Sequence, residues 1–104
     1  MNRIQLLLVD DHILFRESLR RLLESEPDFG VVSDCGTTAE ACSIVAANPV
    51  DVVLLDFDLA GRDARECLGA LDRTGFAGKI LIVTGSMTAG EAATVLRLGA
   101  SGIF

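Results

Sequence analysis

The sequence predicts an α/β fold in which one parallel sheet is covered by helices on both faces. Short apolar segments alternate with segments of helical period four times along the chain, and a fifth apolar segment follows. Such alternation is typical of right-handed crossovers between parallel strands. In a chain of 104 residues, it favours a single domain with a flavodoxin-like, doubly wound sheet of five parallel strands in the order 2-1-3-4-5.

The predicted strands are short apolar runs, and the first and third of them stop at acidic residues. The third strand has four apolar residues in a row before Asp56, which indicates a strand buried on both faces at the middle of the sheet. The first strand stops at Asp10 and Asp11. The predicted strands are Ile4–Val9, a short one from Val31 to about Asp34, Val52–Asp56, Lys79–Val83 and one that starts near Ser101.

Helical periods fill the four intervals between the strands. The first helix is expected to start at His12 and to end before Pro27. Its predicted apolar face consists of Phe15, Leu19, Leu22 and Leu23. Capping signals mark the starts of the later helices at Thr37–Glu40, Asp63–Glu66 and Thr88–Glu91. A further helix should follow the fifth strand and cover the side guarded by the first helix, so residues 1–104 are expected to stop short of a whole domain.

Charge and composition exclude several classes of function. The formal net charge of −6 argues against unaided binding to nucleic acid, because such binding relies on cationic side chains. No apolar segment approaches the roughly 20 residues of a membrane span, and the N-terminal segment does not fit a signal peptide. The cysteines Cys35, Cys42 and Cys67 show no C-x-x-C spacing, so reduced thiols in a cytoplasmic protein are expected.

Three carboxylates are expected to meet at the carboxyl edge of the sheet. The strand order 2-1-3-4-5 makes the first and third strands neighbours, which brings Asp10, Asp11 and Asp56 together at the switch point. No Lys, Arg or His is expected at a position from which it would neutralise all three carboxylates. Carboxylate oxygens select Mg²⁺, Mn²⁺ or Ca²⁺, and an aspartate can act as the nucleophile that forms an aspartyl phosphate. Thr84, at the end of the neighbouring strand, offers a hydroxyl to a phosphoryl oxygen.

Each of these residues also has an ordinary structural interpretation. Asp10 and Asp11 could cap the first helix, Asp56 could start a turn, and Thr84 could be a simple strand-end hydroxyl. His12 is interpreted as a surface residue of the first helical turn, without a role. The coincidence of acids at the ends of two neighbouring strands with a hydroxyl at the end of a third favours a site.

Segments along the whole chain carry one recognisable pattern. They are Leu7–His12, Leu14–Arg16, Val52–Asp56, Val83–Thr84 and Leu98–Gly102. This pattern resembles the receiver domains of two-component response regulators. Asp10-Asp11-His12 followed by Phe15-Arg16, together with Pro27–Phe29, is similar to the NarL/FixJ-type regulators. In that group the receiver usually precedes a LuxR-type helix-turn-helix DNA-binding domain, which is expected beyond residue 104.

The resemblance implies a phosphorylation switch and assigns roles within it. Asp56 would accept a phosphoryl group from a phosphohistidine on a sensor histidine kinase. Asp11, Asp56 and the backbone carbonyl of Asp58 would bind Mg²⁺ (with Mn²⁺ as an alternative), and Asp10 would act through water. Thr84 would hydrogen-bond the phosphoryl group and move toward it, which shifts the surface of the fourth helix and fifth strand. The resemblance also implies that the protein forms a homodimer, controls transcription and does not associate with a membrane.

Four positions depart from the family pattern. The family's lysine would lie two residues beyond Phe104, and the aromatic switch position on the fifth strand corresponds to Ile103. Ala60 stands where a proline is common, which predicts a looser loop after the acceptor. Asp58 adds a negative charge at the rim, which could alter the rate of phosphoryl transfer or hydrolysis.

Two other functions stay open from the sequence. Asp56-Phe57-Asp58 is also similar to the D-x-D motif of haloacid-dehalogenase-type phosphohydrolases, although those enzymes usually carry it on their first strand. The altered position Ile103 and the lysine beyond Phe104 favour a different alternative, a receiver-like interaction module that keeps its acidic pocket but does not signal by phosphate.

Overall fold

A computed structural model describes residues 3–58, 64–85 and 87–104 and confirms the predicted fold. Its five strands form one parallel sheet in the order β2-β1-β3-β4-β5. The strands are β1 (Ile4–Val9), β2 (Phe29–Cys35), β3 (Val52–Asp56), β4 (Lys79–Val83) and β5 (Gly102–Ile103). The helices are α1 (Ile13–Glu24), α2 (Thr38–Ala47), α3 (Ala64–Arg73) and α4 (Ala89–Arg97).

The two faces of the sheet differ because successive side chains of a strand point to opposite sides. Leu7, Val53 and Ile82 are fully buried on one face. They form a core with apolar side chains of three helices, namely Ala41 of α2, Ala64, Cys67, Leu68 and Leu71 of α3, and Val95 of α4. This core fixes the central strands, and therefore also fixes the positions at which those strands end.

The opposite face of the sheet carries an apolar groove beside α1. The groove has a volume of about 370 Å³ and is lined by apolar side chains of four strands, of α1 and of the chain end. From α1, Phe15, Leu19 and Leu23 face it. Leu22 does not, since it is 66% exposed and lies beside Ser18 on another side of the helix. The prediction of a single face containing Leu22 was therefore wrong, because the sheet contacts a narrower stripe than the helical period allows.

Two capping signals that the sequence predicts are observed. Thr88 accepts from the backbone N–H of Glu91 (3.1 Å) while the Glu91 side chain accepts from the backbone N–H of Thr88 (2.9 Å), a complete capping box. Thr37 accepts from the backbone N–H of Glu40, but its hydroxyl also bonds the Glu40 carboxylate, so only half of that box forms. The signal at Asp63 lies outside the described residues.

Glycine residues follow two of the helices in a left-handed backbone conformation. Gly75 follows α3 with φ of 81°, and Gly99 follows α4 with φ of 118°. In this left-handed region a side chain would be strained, and glycine closes helices there without that cost.

Strand β2 starts at Phe29, two residues before the predicted start at Val31. The reason is its register with β1, which pairs Ile4 with Phe29 and Gln5 with Gly30. Pairing with β1 therefore includes Gly30 in the strand, although glycine by its local preference usually marks the end of an element. Among the described residues, no helix is long and apolar enough to span a membrane.

Candidate functional site

The register of the central strands sets the position of the acidic residues. Val9 of β1 pairs with Leu55 of β3, so Asp10 and Asp56 follow at the same level of neighbouring strands. Asp56 in turn pairs with Val83 of β4, and Thr84 comes directly after Val83. The carboxyl edge of the sheet thus brings these residues together, as the predicted strand order requires.

Asp10, Asp11, His12 and Asp56 form a compact cluster at this edge. One ligand atom from each residue lies within 4.8 Å of the corresponding atoms of the other three. Asp10 is 7% exposed, and the side chain of Asp56 is 16% exposed. The structure therefore confirms the predicted meeting of the three carboxylates.

His12 belongs to the cluster, although the sequence analysis interprets it as a surface residue without a role. Its Nδ1 lies 3.1 Å from Asp10 Oδ1, 3.2 Å from Asp11 Oδ1 and 3.8 Å from Asp56 Oδ2. The expectation that no basic side chain faces all three acids was therefore wrong. The hydrogen bond to Asp10, followed by the negative charges of Asp11 and Asp10, raises the pKa of His12. Its position directly after Asp10-Asp11 was the available signal.

The start of α1 explains why His12 points at the acids. His12 occupies the N-cap position of α1 without a capping bond from its own side chain. Its backbone N–H instead donates to Asp10 Oδ1 at 2.8 Å, which makes a local turn of the kind that Asp favours. The alternative in which Asp10 or Asp11 occupies the N-cap is thus excluded.

Arg16 is a second residue that the sequence did not identify at this edge. Its Nη1 donates to the backbone carbonyl of Asp10 at 2.8 Å, and its Nε lies 2.8 Å from Asp34 Oδ1 at the end of β2. One guanidinium group therefore ties the residue after β1 to the neighbouring strand and to α1. The contact between Arg16 and Asp34 joins positions that are distant in sequence, so no local sequence pattern predicts it.

The environment of Asp56 disfavours its negative charge. Burial raises the pKa of the Asp56 carboxyl, and the charge of Asp10 raises it further. A hydrogen bond from the backbone N–H of Asp58 and the nearby His12 oppose the shift. Asp56 Oδ2 is buried and has no hydrogen-bond partner among the described residues. A buried, unpaired carboxylate oxygen among like charges is a site that a cation would stabilise.

The donor set fits a hard divalent cation. Three carboxylates supply oxygen ligands at spacings that one ion can bridge, and oxygen ligands suit Mg²⁺, Mn²⁺ and Ca²⁺. The nitrogen of His12 adds one softer donor to that set. Chemically, the cluster could hold a cation beside a carboxylate nucleophile.

The other predicted site residues lie within β5 or shortly after β3 and β4. Asp58 follows β3 in an exposed turn. The backbone N–H of Thr84 donates to the carbonyl of Phe104 at 3.2 Å, and Ile103 pairs with Ile82 of β4. Ile103 packs partly buried against the core. The predicted effect of Ala60 on its loop lies outside the described residues.

Comparison with known proteins identifies the same family throughout. The profile of the response regulator receiver domain matches residues 6–104. The nitrate/nitrite response regulator NarP of Escherichia coli K12 is 36% identical over 98 residues, which cover 94% of this chain and 46% of NarP. The chain spans about half the length of the curated relatives it matches.

Solved structures agree with that match. The receiver domain of NarL from Mycobacterium tuberculosis has a TM-score of 0.89 and 26% identity, covering 99% of this chain and 83% of that one. A LuxR-family two-component response regulator from Aurantimonas sp. SI85-9A1 has a TM-score of 0.89 and 31% identity, covering 98% and 73%. With its sheet order and its acidic edge, this chain belongs to the response regulator receiver domains of the NarL/LuxR type.

Proposed function

We propose that the domain is a phosphorylation-dependent switch in which Asp56 accepts the phosphoryl group. The observation that carries this proposal is the cluster of Asp10, Asp11 and His12 around the buried, unpartnered Oδ2 of Asp56. A carboxylate that serves only to end a strand would gain by facing solvent, where water satisfies its oxygens. The burial of Asp56 among other acids makes sense if a bound group completes the site.

The proposed reaction transfers a phosphoryl group from a phosphohistidine of a sensor histidine kinase. A carboxylate oxygen of Asp56 attacks the phosphorus, the bond from phosphorus to the imidazole nitrogen breaks, and its electron pair returns to the kinase histidine. The product is an acyl phosphate on Asp56. Little covalent work is left to the domain in such a transfer, so positioning and charge stabilisation are its main contributions.

Mg²⁺ is the proposed cofactor of this step, with Mn²⁺ as an alternative. Asp11, Asp56 and the backbone carbonyl of Asp58 would hold it, and Asp10 would contact it through water. When bound, such a cation neutralises part of the negative charge that the phosphoryl group brings to the site. The exposed carboxylate of Asp58 adds charge at the rim of this site.

Thr84 is the proposed first reporter of phosphorylation. Its hydroxyl would hydrogen-bond the phosphoryl oxygen and draw the end of β4 toward Asp56. The Thr84 N–H bonds the carbonyl of Phe104, and the N–H of Phe104 bonds the carbonyl of Ile82 at 2.7 Å. A movement at Thr84 would therefore pull on the end of β5, and Ile103 would respond by packing changes in place of the rotation of an aromatic ring.

The wider role that we propose is control of transcription in the cytoplasm. NarP and the other curated relatives are about twice as long as this chain, which supports a second domain following residue 104, and by the family resemblance we propose that it is a helix-turn-helix DNA-binding domain. A helix after β5 would cover the apolar groove beside α1. Phosphorylation would then change how two copies of the regulator pair, and DNA would be bound only by the second domain.

The direct test is phosphorylation by a small donor. After incubation with Mg²⁺ and acetyl phosphate, intact-mass spectrometry should show one labile phosphoryl adduct on the wild-type protein and none on Asp56→Asn. Asp58→Asn is the matched control, since it removes an exposed carboxylate two residues away, and it should keep the adduct. Absence of the adduct from wild type, or its presence on Asp56→Asn, would contradict the proposal.

A second candidate is an interaction module that uses the receiver fold without phosphate. The position of Ile103 favours it, because an aliphatic side chain packed against the core cannot make the usual aromatic rotation. The same adduct experiment separates the two candidates. The comparisons give no support to the D-x-D phosphohydrolase alternative.

A further inference from the structure

We propose that His12 is a direct ligand of the divalent cation and shifts the selectivity of the site from Mg²⁺ toward Mn²⁺. The inference rests on the cation site of the proposed function and adds a nitrogen donor that the family resemblance does not assign. It starts from one observation, that Nδ1 of His12 faces Asp10, Asp11 and Asp56 together.

The distances fit shared coordination of one ion. Bonds of about 2.1 Å in an octahedral shell place adjacent ligand atoms about 3.0 Å apart and opposite ones about 4.2 Å apart. Nδ1 lies 3.1 Å from Asp10 Oδ1 and 3.2 Å from Asp11 Oδ1, close to the adjacent spacing. The separation of 3.8 Å from Asp56 Oδ2 lies between the two values. Small side-chain adjustments would therefore bring His12 Nδ1, Asp11 and Asp56 onto a common centre, with Asp10 beside them contacting the ion through water.

Backbone hydrogen bonds of His12 fix the position from which its side chain extends toward the acids. The His12 N–H donates to Asp10 Oδ1 at 2.8 Å, and its carbonyl accepts from the backbone N–H of Arg16 at 2.9 Å in the first turn of α1. The side chain itself is 67% exposed, so it can turn toward an ion without disturbing the core. A neutral imidazole offers a lone pair at one ring nitrogen, and this is the form that binds metals.

A nitrogen donor changes which cation the site prefers. Mg²⁺ is a hard ion that favours oxygen ligands and retains water, whereas transition metals accept imidazole readily. Replacing one water of an all-oxygen shell by His12 therefore strengthens Mn²⁺ binding more than Mg²⁺ binding. The ratio of the two affinities, rather than either affinity alone, is the signature of this ligand.

The test is titration of the wild-type protein and of His12→Asn with Mn²⁺ and with Mg²⁺ by isothermal calorimetry. Asn is a favourable N-cap residue, so α1 should start normally without the imidazole. We expect His12→Asn to lose about tenfold in Mn²⁺ affinity and to change Mg²⁺ affinity by less than about twofold. Pulsed electron paramagnetic resonance of bound Mn²⁺ should show coupling to a coordinated ¹⁴N nucleus in wild type and not in His12→Asn.

Other outcomes overturn the inference in distinguishable ways. Tighter binding of both cations to His12→Asn would mean that the imidazolium only competes with the ion for the acids. Cation binding without ¹⁴N coupling, or with an unchanged affinity ratio, would remove His12 as a ligand. If wild type is also phosphorylated on Asp56, either result leaves the proposed function intact. Failure of wild type to bind either cation would overturn both the ligand and the cation site.

Discussion

Asp56 occupies a position where its charge opposes folding. Burial and the charge of Asp10 raise its pKa, so the folded state holds the proton more tightly than the unfolded chain does. For such a group, stability is greatest below the unfolded-state pKa and is lost as the pH rises through the folded-state value. Near neutral pH the ionised carboxylate therefore destabilises the protein in the absence of a cation.

Replacing Asp56 by Asn should therefore stabilise the cation-free protein. Urea denaturation at about pH 7 with a chelator present should show an increase on the order of 1 kcal/mol in the free energy of unfolding, the usual size of a single-residue effect. Asp58→Asn, at an exposed position, should stay within about 0.5 kcal/mol of wild type. Equal effects of the two substitutions would show that the cluster does not strain the fold.

The three thiols should differ sharply in reactivity. Burial raises the pKa of the Cys35 thiol to about 12, and burial also raises that of Cys67, whereas Cys42 is partly exposed. Iodoacetamide at about pH 8 should alkylate Cys42 in the native protein, but Cys35 and Cys67 only after unfolding, because the thiolate is the reactive form. Peptide mass mapping measures this, and rapid labelling of native Cys35 would contradict the burial of β2's last residue.

The same thiol predicts a loss of stability at alkaline pH. The pKa of Cys35 is higher in the folded protein than its ordinary value of 9.0. Its contribution is therefore fully present below pH 9.0 and declines as the pH rises toward about 12. Cys35→Ser, which does not form a thiolate, should show a shallower decline of the urea midpoint over this window.

At the scale of elements, α1 is attached to the sheet differently from the other helices. None of its residues is buried, and it is tied to β2 by two arginines. Arg16 contacts Asp34 and the Asp10 carbonyl, and Arg20 pairs with the other oxygen of Asp34. These ion pairs and hydrogen bonds therefore act together with the apolar side chains Phe15, Leu19 and Leu23 in holding α1 to the sheet.

Arg16→Lys should weaken this attachment, because an ammonium group cannot bridge two acceptors with the geometry of a guanidinium fork. We expect the free energy of unfolding to fall by about 1.5–3 kcal/mol, the range for hydrogen bonds to charged groups. Arg21→Lys, on the exposed side of the same helix, serves as the control. If both variants unfold at the same urea concentration, the bridge made by Arg16 contributes nothing.

The elements also show what a sequence can and cannot reveal. The alternation of periods predicts the sheet order, and the sheet order predicts that Asp10, Asp11 and Asp56 meet. The early start of β2 follows from the pairing of Phe29 with Ile4. The role of Arg16 depends on its contact with Asp34, which lies on β2. His12 was missed because its position next to Asp10-Asp11 does not show that the imidazole also faces Asp56 on another strand. Contacts between elements decide these cases, and local patterns do not record them.

At the scale of the whole molecule, one side of the sheet carries the apolar groove lined by Phe15, Leu19, Leu23 and Phe104. In residues 1–104 this apolar surface is open to a hydrophobic probe, and a helix after β5 would cover it in the function that we propose. An environment-sensitive dye should therefore bind the 104-residue chain with enhanced fluorescence. Phe104→Ser should reduce the signal and leave the circular dichroism unchanged, whereas Leu96→Ser, at another exposed apolar position, should not reduce it. Equal dye binding by both variants would place the apolar site elsewhere.

Asp56 is the residue that we propose as the carrier of the phosphoryl group. Borohydride reduces an aspartyl phosphate to homoserine, so treatment after reaction with acetyl phosphate and Mg²⁺ marks the modified position for peptide mass spectrometry. We expect homoserine at position 56 in the wild-type protein and none when a chelator replaces Mg²⁺. Homoserine at position 10 or 11 instead, or at no position, would contradict the assignment of Asp56.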